Sequence, residues 1–334
     1  MMELKELTNG LSICRILNGM WQVSGSHGSI APEKAIHEMI KYHTSGFTTW
    51  DLADIYGPAE SFIGKFRKTL EKLKGKDELK NSQALTKFVP NPGPMTKSIV
   101  EYYVEKSLKK MESNCLDLIQ FHWWDYNNPN YIDALVHLSN IQDKGKIKHI
   151  GLTNFDTKRL EIITKQGLKI ISNQVQYSIL DQRPENLMIP FCQQNGIYLL
   201  TYGTLLGGFL SEKYLNSPPP NRGDLSTASL QKYYNMIQAW GGWELFQELL
   251  HTLLEISKKH NCSIANVATS FILEKPRVAG VIIGARLGLS EHRTDNLRVF
   301  EFDLDSEDKT MIKSVTQKSN DLFNVIGDCG DEYR

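Results

Sequence analysis

The chain has no cysteine pattern. Its five cysteines, Cys14, Cys115, Cys192, Cys262 and Cys329, stand singly and no CxxC occurs. That excludes a zinc framework and a disulfide scaffold, and it fits thiols kept reduced inside a cell. Net charge is also missing, with 38 Lys and Arg against 38 Asp and Glu. No overall basic excess exists to hold nucleic acid or an anionic membrane. No apolar run approaches the roughly 20 residues that a membrane helix needs. The N-terminal stretch MMELKELTNG has no apolar signal core. Glycine and proline are not in excess, and the 41% hydrophobic content is that of a globular protein. These absences predict a soluble, cytoplasmic protein with no nucleic-acid and no membrane partner.

One further absence bears on fold. The first predicted strand runs into Trp21-Gln22-Val23-Ser24-Gly25-Ser26-His27-Gly28, without GxGxxG spacing. A doubly wound dinucleotide-binding sheet would want that fingerprint there.

What is present is a rhythm. β-rich runs over 13–22, 48–54, 82–89, 116–123, 147–154, 171–179, 197–202 and 278–284 alternate with amphipathic helical patterns. Glycines at 46, 145, 167 and 196 stop helices, and Asp156 is placed to cap one. Strand–helix alternation of this kind, in 334 residues, predicts a single (β/α)8 barrel domain, a TIM barrel. The stretch 207–242, with SPPPNRG, breaks the rhythm after the seventh strand. It reads either as a Pro-stiffened connector or as a lid on the face where barrels put their sites. The C-terminal tail, 321–334, is DLFNVIGDCGDEYR.

Polar residues interrupt the apolar strands near their C-terminal ends. Asp51 follows FTTW, Lys87 stands in ALTKF, and His122 in LIQFHWWD with Gln120 on the same face; Tyr56 begins the loop after the second strand. Singly, Asp51 and Lys87 read as a structural ion pair, and Tyr56 and His122 as packing residues. Together they form a complementary set at one barrel mouth. A lysine ammonium is expected to bring a nearby phenol below its ordinary value of about 10, and a carboxylate keeps that lysine charged. With a histidine to orient an oxygen, the set can protonate a carbonyl while hydride reaches its carbon. No metal ligand is called for, but a hydride donor is, since no side chain supplies hydride. Thr153 and Asn154 in GLTNF, Gln174 in SNQVQY and Tyr202 read as a floor for a carboxamide and a flat ring. Gly284-Ala285-Arg286 before a helix start suits a phosphate. Each of these also has a plain reading as a turn cap or surface charge.

The motifs GFTTWDLADIYGPAESFIG, ALTKF, LIQFHWWD, GLTNF, SNQVQY, LLTYGTLLGGFLSEKY and IIGARLGLSEHRTDNL, in this order, resemble the aldo-keto reductase superfamily. The resemblance implies a catalytic tetrad of Asp51, Tyr56, Lys87 and His122, with Tyr56 as general acid/base. It implies NADPH/NADP+ as cofactor, with NADH as the alternative. Thr153, Asn154 and Gln174 would hold the carboxamide and Tyr202 would stack on the nicotinamide. Gly203, Thr204, Leu205, Gly208 and Lys213 would follow the pyrophosphate. Gly284, Arg286, His292 and Asn296 would meet the adenosine end, and Met20 completes the set. Trp21, Trp123 and Trp124 would line the substrate pocket and favour an apolar or flat carbonyl or a sugar. The chain departs from the family pattern in five places, one of them a longer segment between Arg286 and Asn296. Thr153 replaces a serine, Trp123-Trp124 follow His122 where HWP is common, Gly203-Thr204 replace Ser-Pro, and His292 replaces Arg or Gln. The alternative function is a regulatory, channel-associated subunit of the same fold that holds cofactor with little turnover.

Overall fold

The computed structural model describes residues 1–25, 30–221 and 223–333; Arg222 of the connector and Arg334 of the tail lie outside the described residues. The chain opens with an antiparallel hairpin, β1 (Leu4–Thr8) and β2 (Leu11–Cys14). Eight parallel strands follow: β3 (Ile16–Gly19), β4 (Thr49–Asp51), β5 (Gln83–Phe88), β6 (Leu116–His122), β7 (Ile147–Thr153), β8 (Ser172–Gln176), β9 (Tyr198–Tyr202) and β10 (Val278–Gly284). They close into a barrel in which β10 pairs with β3. The expected (β/α)8 barrel is therefore the fold. Around it lie α1 (Pro32–Thr44), α2 (Ala59–Lys74), α3 (Lys97–Lys110), α4 (Tyr131–Asp143), α5 (Thr157–Lys165), α6 (Met188–Asn195), α7 (Ala228–Trp240), α8 (Gly242–Lys259), α9 (Ile264–Leu273), α10 (Arg293–Leu297), α11 (Ser306–Thr316) and α12 (Leu322–Ile326).

The barrel interior is apolar at one end and polar at the other. Leu17, Leu85, Leu118, Leu200 and Ala279 pack with Leu7, Leu11 and Ile13 of the hairpin. The hairpin thus plugs the N-terminal end. Two residues on from Leu85 and Leu118, on the same inward faces, stand Lys87 and Gln120, which are register partners. This two-residue step from leucine to a polar group places the chemistry at the C-terminal mouth. A second, larger core fills the layer between strands and helices, with Trp50, Phe66, Phe121 and Phe155 fully buried.

Local chemistry sets the helix starts. Asp156 caps α5 as expected, accepting from Arg159 N at 2.7 Å. Thr96 caps α3 by accepting from Ile99 N. The first strand, expected over 13–22, is broken at Arg15 and ends at Gly19, where a 3-10 turn (Met20–Val23) begins. Arg15 Nη2 donates to Leu273 O and Val278 O across the barrel floor, and its backbone N donates to Glu3 O. The chain turns there from the plug into the barrel. The stretch 207–242 contains α7, whose Tyr233, Met236, Ile237 and Trp240 are buried.

Candidate active site

Asp51 ends β4 and Lys87 lies near the end of β5; both are 3% exposed, in positions where an unpaired charge would be costly. Lys87 Nζ donates to Asp51 Oδ1 at 2.9 Å and Oδ2 at 2.7 Å, and to Leu52 O at 3.1 Å. Burial pulls the ammonium down. The opposing pull of Asp51, with contributions from Tyr56, leaves Lys87 above its ordinary value, charged at any physiological pH. The ammonium also sits 5.0 Å from the centre of the Tyr56 ring.

Tyr56 follows the strand end in a tight turn, its N donating to Ala53 O and its O accepting from Ala59 N. Its phenol departs from the expectation that Lys87 brings it down. Desolvation is the largest influence and raises it; Lys87 pulls it down, and the Asp51 and Tyr333 charges add to the rise. The net direction is upward. The Trp21 ring meets Tyr56 edge-on, with centres 5.1 Å apart. His122, 5% exposed at the end of β6, lies against the Trp124 ring at 4.2 Å. Asp51, Tyr56, Lys87 and His122 are thus assembled around one end of the barrel.

The next strands complete the floor. Thr153 is the register partner of both His122 and Gln174, and Gln176 that of Tyr202. Thr153 Oγ1 is buried with no hydrogen-bond partner among the described residues. Asn154 takes a left-handed backbone (φ 57°), its N donating to Gln174 O. Its Oδ1 accepts from the Tyr202 hydroxyl at 2.8 Å. Gln174 commits its amide nitrogen to the carboxylate behind the mouth. Its Nε2 donates to Asp51 Oδ1 at 2.6 Å and to Gln120 Oε1 at 2.8 Å, while Gln120 Nε2 donates to the same Asp51 oxygen at 3.0 Å. Asp51 is therefore held by one ammonium and two amides, which fixes the carboxylate before any ligand arrives.

Two expected contacts are corrected. Trp123 is fully buried, packs on Phe121 in the strand–helix layer and donates its Nε1 to Asp125 O at 2.7 Å and Asn128 O at 2.9 Å. It braces the loop after β6 instead of lining a pocket, because side chains alternate and His122 takes the inward face. Met20 is likewise fully buried in the outer core, so its side chain offers no surface to a cofactor. Trp124, 38% exposed, and Trp21, half-buried, remain at the mouth.

The phosphate-side residues lie on the loops after β9 and β10. Gly203 needs its glycine: φ is 71° and a Cβ would meet the Tyr233 hydroxyl oxygen at 2.6 Å. Thr204 Oγ1 donates to Tyr177 O, Leu205 is half-buried, Gly208 has φ 102°, and Lys213 is exposed beside the Tyr214 ring. Arg286 is exposed and in no ion pair among the described residues, His292 precedes α10, and Asn296 is buried within it. Gly284 faces Gln22, whose Nε2 lies 2.2 Å from where a Cβ would stand.

The tail is docked, which the sequence left open. Arg183, 2% exposed, donates from Nε and Nη2 to Asp181 at 2.7 and 2.8 Å, from Nη1 to Asp328 O at 3.1 Å, and from Nη2 to Glu332 Oε2 at 3.0 Å. The Tyr333 hydroxyl lies 3.1 Å from that of Tyr202 and accepts from Lys232 Nζ at 2.5 Å. Its ring stands edge-on to His122 and Trp124, at 6.3 and 6.2 Å. Arg183, Lys232 and Tyr333 were not among the expected site residues. Asp-Gln-Arg-Pro just past the sixth run, 171–179, was the available signal for Arg183.

Among the described residues, no helix is long and apolar enough to cross a membrane. The profile of the Aldo/keto reductase family matches residues 15–317. The chain is 24% identical over 332 residues to an NADH-specific methylglyoxal reductase of Escherichia coli (strain K12), covering 93% of this chain and 97% of the relative. It is 29% identical over 254 residues to flagellar radial spoke protein 5 of Chlamydomonas reinhardtii, covering 65% of this chain but only 47% of that protein, so it spans about half of that relative. Among solved structures, a thermostable aldo-keto reductase, Tm1743, in complex with the inhibitor epalrestat superposes with a TM-score of 0.71 at 25% identity, covering 94% of this chain and 100% of that one. With the barrel topology and the family match over nearly the whole chain, the protein belongs to the aldo/keto reductase family of carbonyl–alcohol oxidoreductases.

Proposed function

We propose that the protein interconverts a carbonyl compound and its alcohol with NADPH or NADH, using Tyr56 as general acid/base. The observation that supports this is the Asp51–Lys87–Tyr56 array beside His122 at the barrel mouth. When bound, the nicotinamide supplies or accepts the hydride. The chain's own residues handle the proton. In reduction, the Tyr56 hydroxyl donates its proton to the carbonyl oxygen, and the Lys87 ammonium stabilises the phenolate left behind. Asp51 keeps Lys87 charged and in place. His122 orients the substrate oxygen.

The cofactor residues fit an amide and a flat ring. Thr153 Oγ1, buried and unpartnered among the described residues, has hydrogen-bonding capacity to give a carboxamide, and Asn154 and Tyr202 stand beside it. Gln174 can join them through its Oε1 as acceptor while its Nε2 keeps the bonds to Asp51 and Gln120. Gly203, Thr204, Leu205, Gly208 and Lys213 would border the pyrophosphate. Gly284, Arg286, His292 and Asn296 would border the adenosine.

The exposed, unengaged Arg286 favours NADPH, through its 2′-phosphate. A relative named NADH-specific makes the choice worth testing. Arg286→Ala is expected to raise KM for NADPH by roughly tenfold or more, the cost of one charge-assisted hydrogen bond, and leave KM for NADH unchanged. Equal effects on both cofactors would argue for NADH as the working partner.

Trp21 and Trp124 at the rim favour an apolar, flat or sugar carbonyl. A panel of such aldehydes, ketones and sugars, followed by consumption of NADPH or NADH and repeated with the alcohols and oxidised cofactors, tests the reading. No turnover with tight cofactor retention would favour the regulatory, low-turnover alternative. The observation on that side is Tyr333, packed against His122 and hydrogen-bonded to Tyr202.

A further inference from the structure

Three charged groups with no part in the proton transfer sit directly behind Tyr56. Asp54 comes two residues before it and Glu60 four residues after it. Both reach β5. Asp54 N donates to Lys87 O at 3.1 Å, and Asp54 Oδ2 accepts from Val89 N at 3.3 Å. Glu60, 1% exposed in the first turn of α2, accepts from Thr86 Oγ1 at 2.8 Å. The turn carrying Tyr56 is thereby pinned to β5 on either side of Lys87. Lys110, at the end of α3, joins the two pins. Its Nζ donates to Asp54 O at 3.3 Å and lies 3.2 Å from Glu60 Oε2.

Asp54 Oδ1 is buried without a hydrogen-bond partner among the described residues. Desolvation pushes the Asp54 carboxyl up to about 6; the Val89 amide opposes this, Glu60 from α2 adds to it, and Lys110 from α3 opposes it. An apolar residue at position 54 would avoid that desolvation but could not reach Val89 N. Without that pin and the Lys110 bridge, the Gly57-Pro58 turn would rest on backbone contacts and the Glu60–Thr86 bond.

We propose that Asp54, Glu60 and Lys110 are positioning residues that clamp the Tyr56 turn to β5 and so set the distance from the phenol to Lys87 Nζ. The clamp rests on the reading of Tyr56 as proton donor. Lys87 acts on the phenol through space, and its pull falls as the separation grows. A displacement near 1 Å also misaligns the hydroxyl with a bound carbonyl, a loss of up to about 100-fold in rate.

The experiment uses the full chain with one carbonyl substrate found by screening. Lys110→Met, Asp54→Ala, Asp54→Asn and Tyr56→Phe are compared by kcat against pH, KM, and cofactor Kd from NADPH fluorescence. Lys110→Met and Asp54→Ala are expected to lower kcat by roughly 10- to 100-fold and to move the phenol-controlled limb of the pH profile upward, because the phenol loses part of Lys87's pull. KM and cofactor Kd stay within about twofold, since a clamp behind Tyr56 touches neither ligand. Asp54→Asn keeps an acceptor for Val89 N and restores most of kcat. The Lys110 side chain is 29% exposed, so Lys110→Met is a test even where Asp54→Ala does not fold. A wild-type kcat and pH limb in Lys110→Met overturn the clamp, and so does a matching loss of cofactor affinity. An active Tyr56→Phe overturns the reading of Tyr56 itself; an inactive one beside an unchanged Lys110→Met overturns the clamp alone.

Discussion

Tyr56→Phe is expected to lower kcat by about 10²- to 10⁴-fold, the usual contribution of a positioned acid or base, while cofactor affinity stays as it was. The ring remains to pack against Trp21, and only the hydroxyl is lost. Lys87 sits over the Tyr56 ring, while the Tyr202 and Tyr333 hydroxyls bond to each other across the mouth. Measuring kcat for reduction and NADPH fluorescence quenching on the same preparation separates chemistry from binding. A variant that keeps full turnover would remove Tyr56 from the mechanism.

The sign of the pH dependence follows from the same groups. The phenol lies above its ordinary value because desolvation outweighs Lys87. Reduction needs the protonated phenol, so it holds through neutral pH and is lost as pH rises through that elevated value. Oxidation needs the phenolate and gains over the same interval. Lys87→Met removes the one strong downward influence, so the phenol moves higher still. Oxidation at a fixed pH should therefore suffer more than reduction, and the ratio of the two rates, read at several pH values, reports the shift. An unchanged ratio would mean that Lys87 serves only to neutralise Asp51.

Much of this arrangement is legible in the sequence, for a physical reason. A charged or amide side chain inside an apolar strand has no ordinary place in a core, so Asp51, Lys87, Gln120 and His122 stand out against Leu85 and Leu118 two or four residues earlier. The alternation that makes the strands visible also marks which side chains reach the mouth. Trp123 fails for the complementary reason: its neighbour takes the inward face, and its indole nitrogen goes to backbone carbonyls that local sequence does not reveal. Gln174 stands on the strand end where expected, and its Nε2 also reaches Asp51 across the barrel, a partner far away in sequence. The hairpin plug, the helix within 207–242 and the docked tail depend on contacts of the same long range. Tyr333, 131 residues from Tyr202, carries no periodic signal at all.

Arg183→Met is expected to be strongly destabilising. Arg183 lies between Asp181, fully buried, and Glu332 of the tail, and Gln176 Nε2 also donates to Asp181 at 2.7 Å. Removing the guanidinium leaves a buried carboxylate without its counter-charge, which costs about 3–5 kcal/mol when one partner of such a pair is lost. Chemical denaturation should show that loss as a lower midpoint at an unchanged slope. Asp181→Asn in the same chain removes the stranded charge and should recover a large part of it; failure to recover would mean that the cost lies in the contacts to Asp328 and Glu332 instead. The same variant separates the tail from the mouth. Arg183 holds the Asp328 carbonyl and the Glu332 carboxylate, and Glu332 is the neighbour of Tyr333. With that anchor gone, the Tyr333 hydroxyl keeps Lys232 and Tyr202 as its hydrogen-bond partners among the described residues. KM for bulky substrates should then change while kcat for the smallest ones holds. If both stay at wild-type values in a variant that has lost stability, the docked tail braces the barrel and takes no part in admitting substrate.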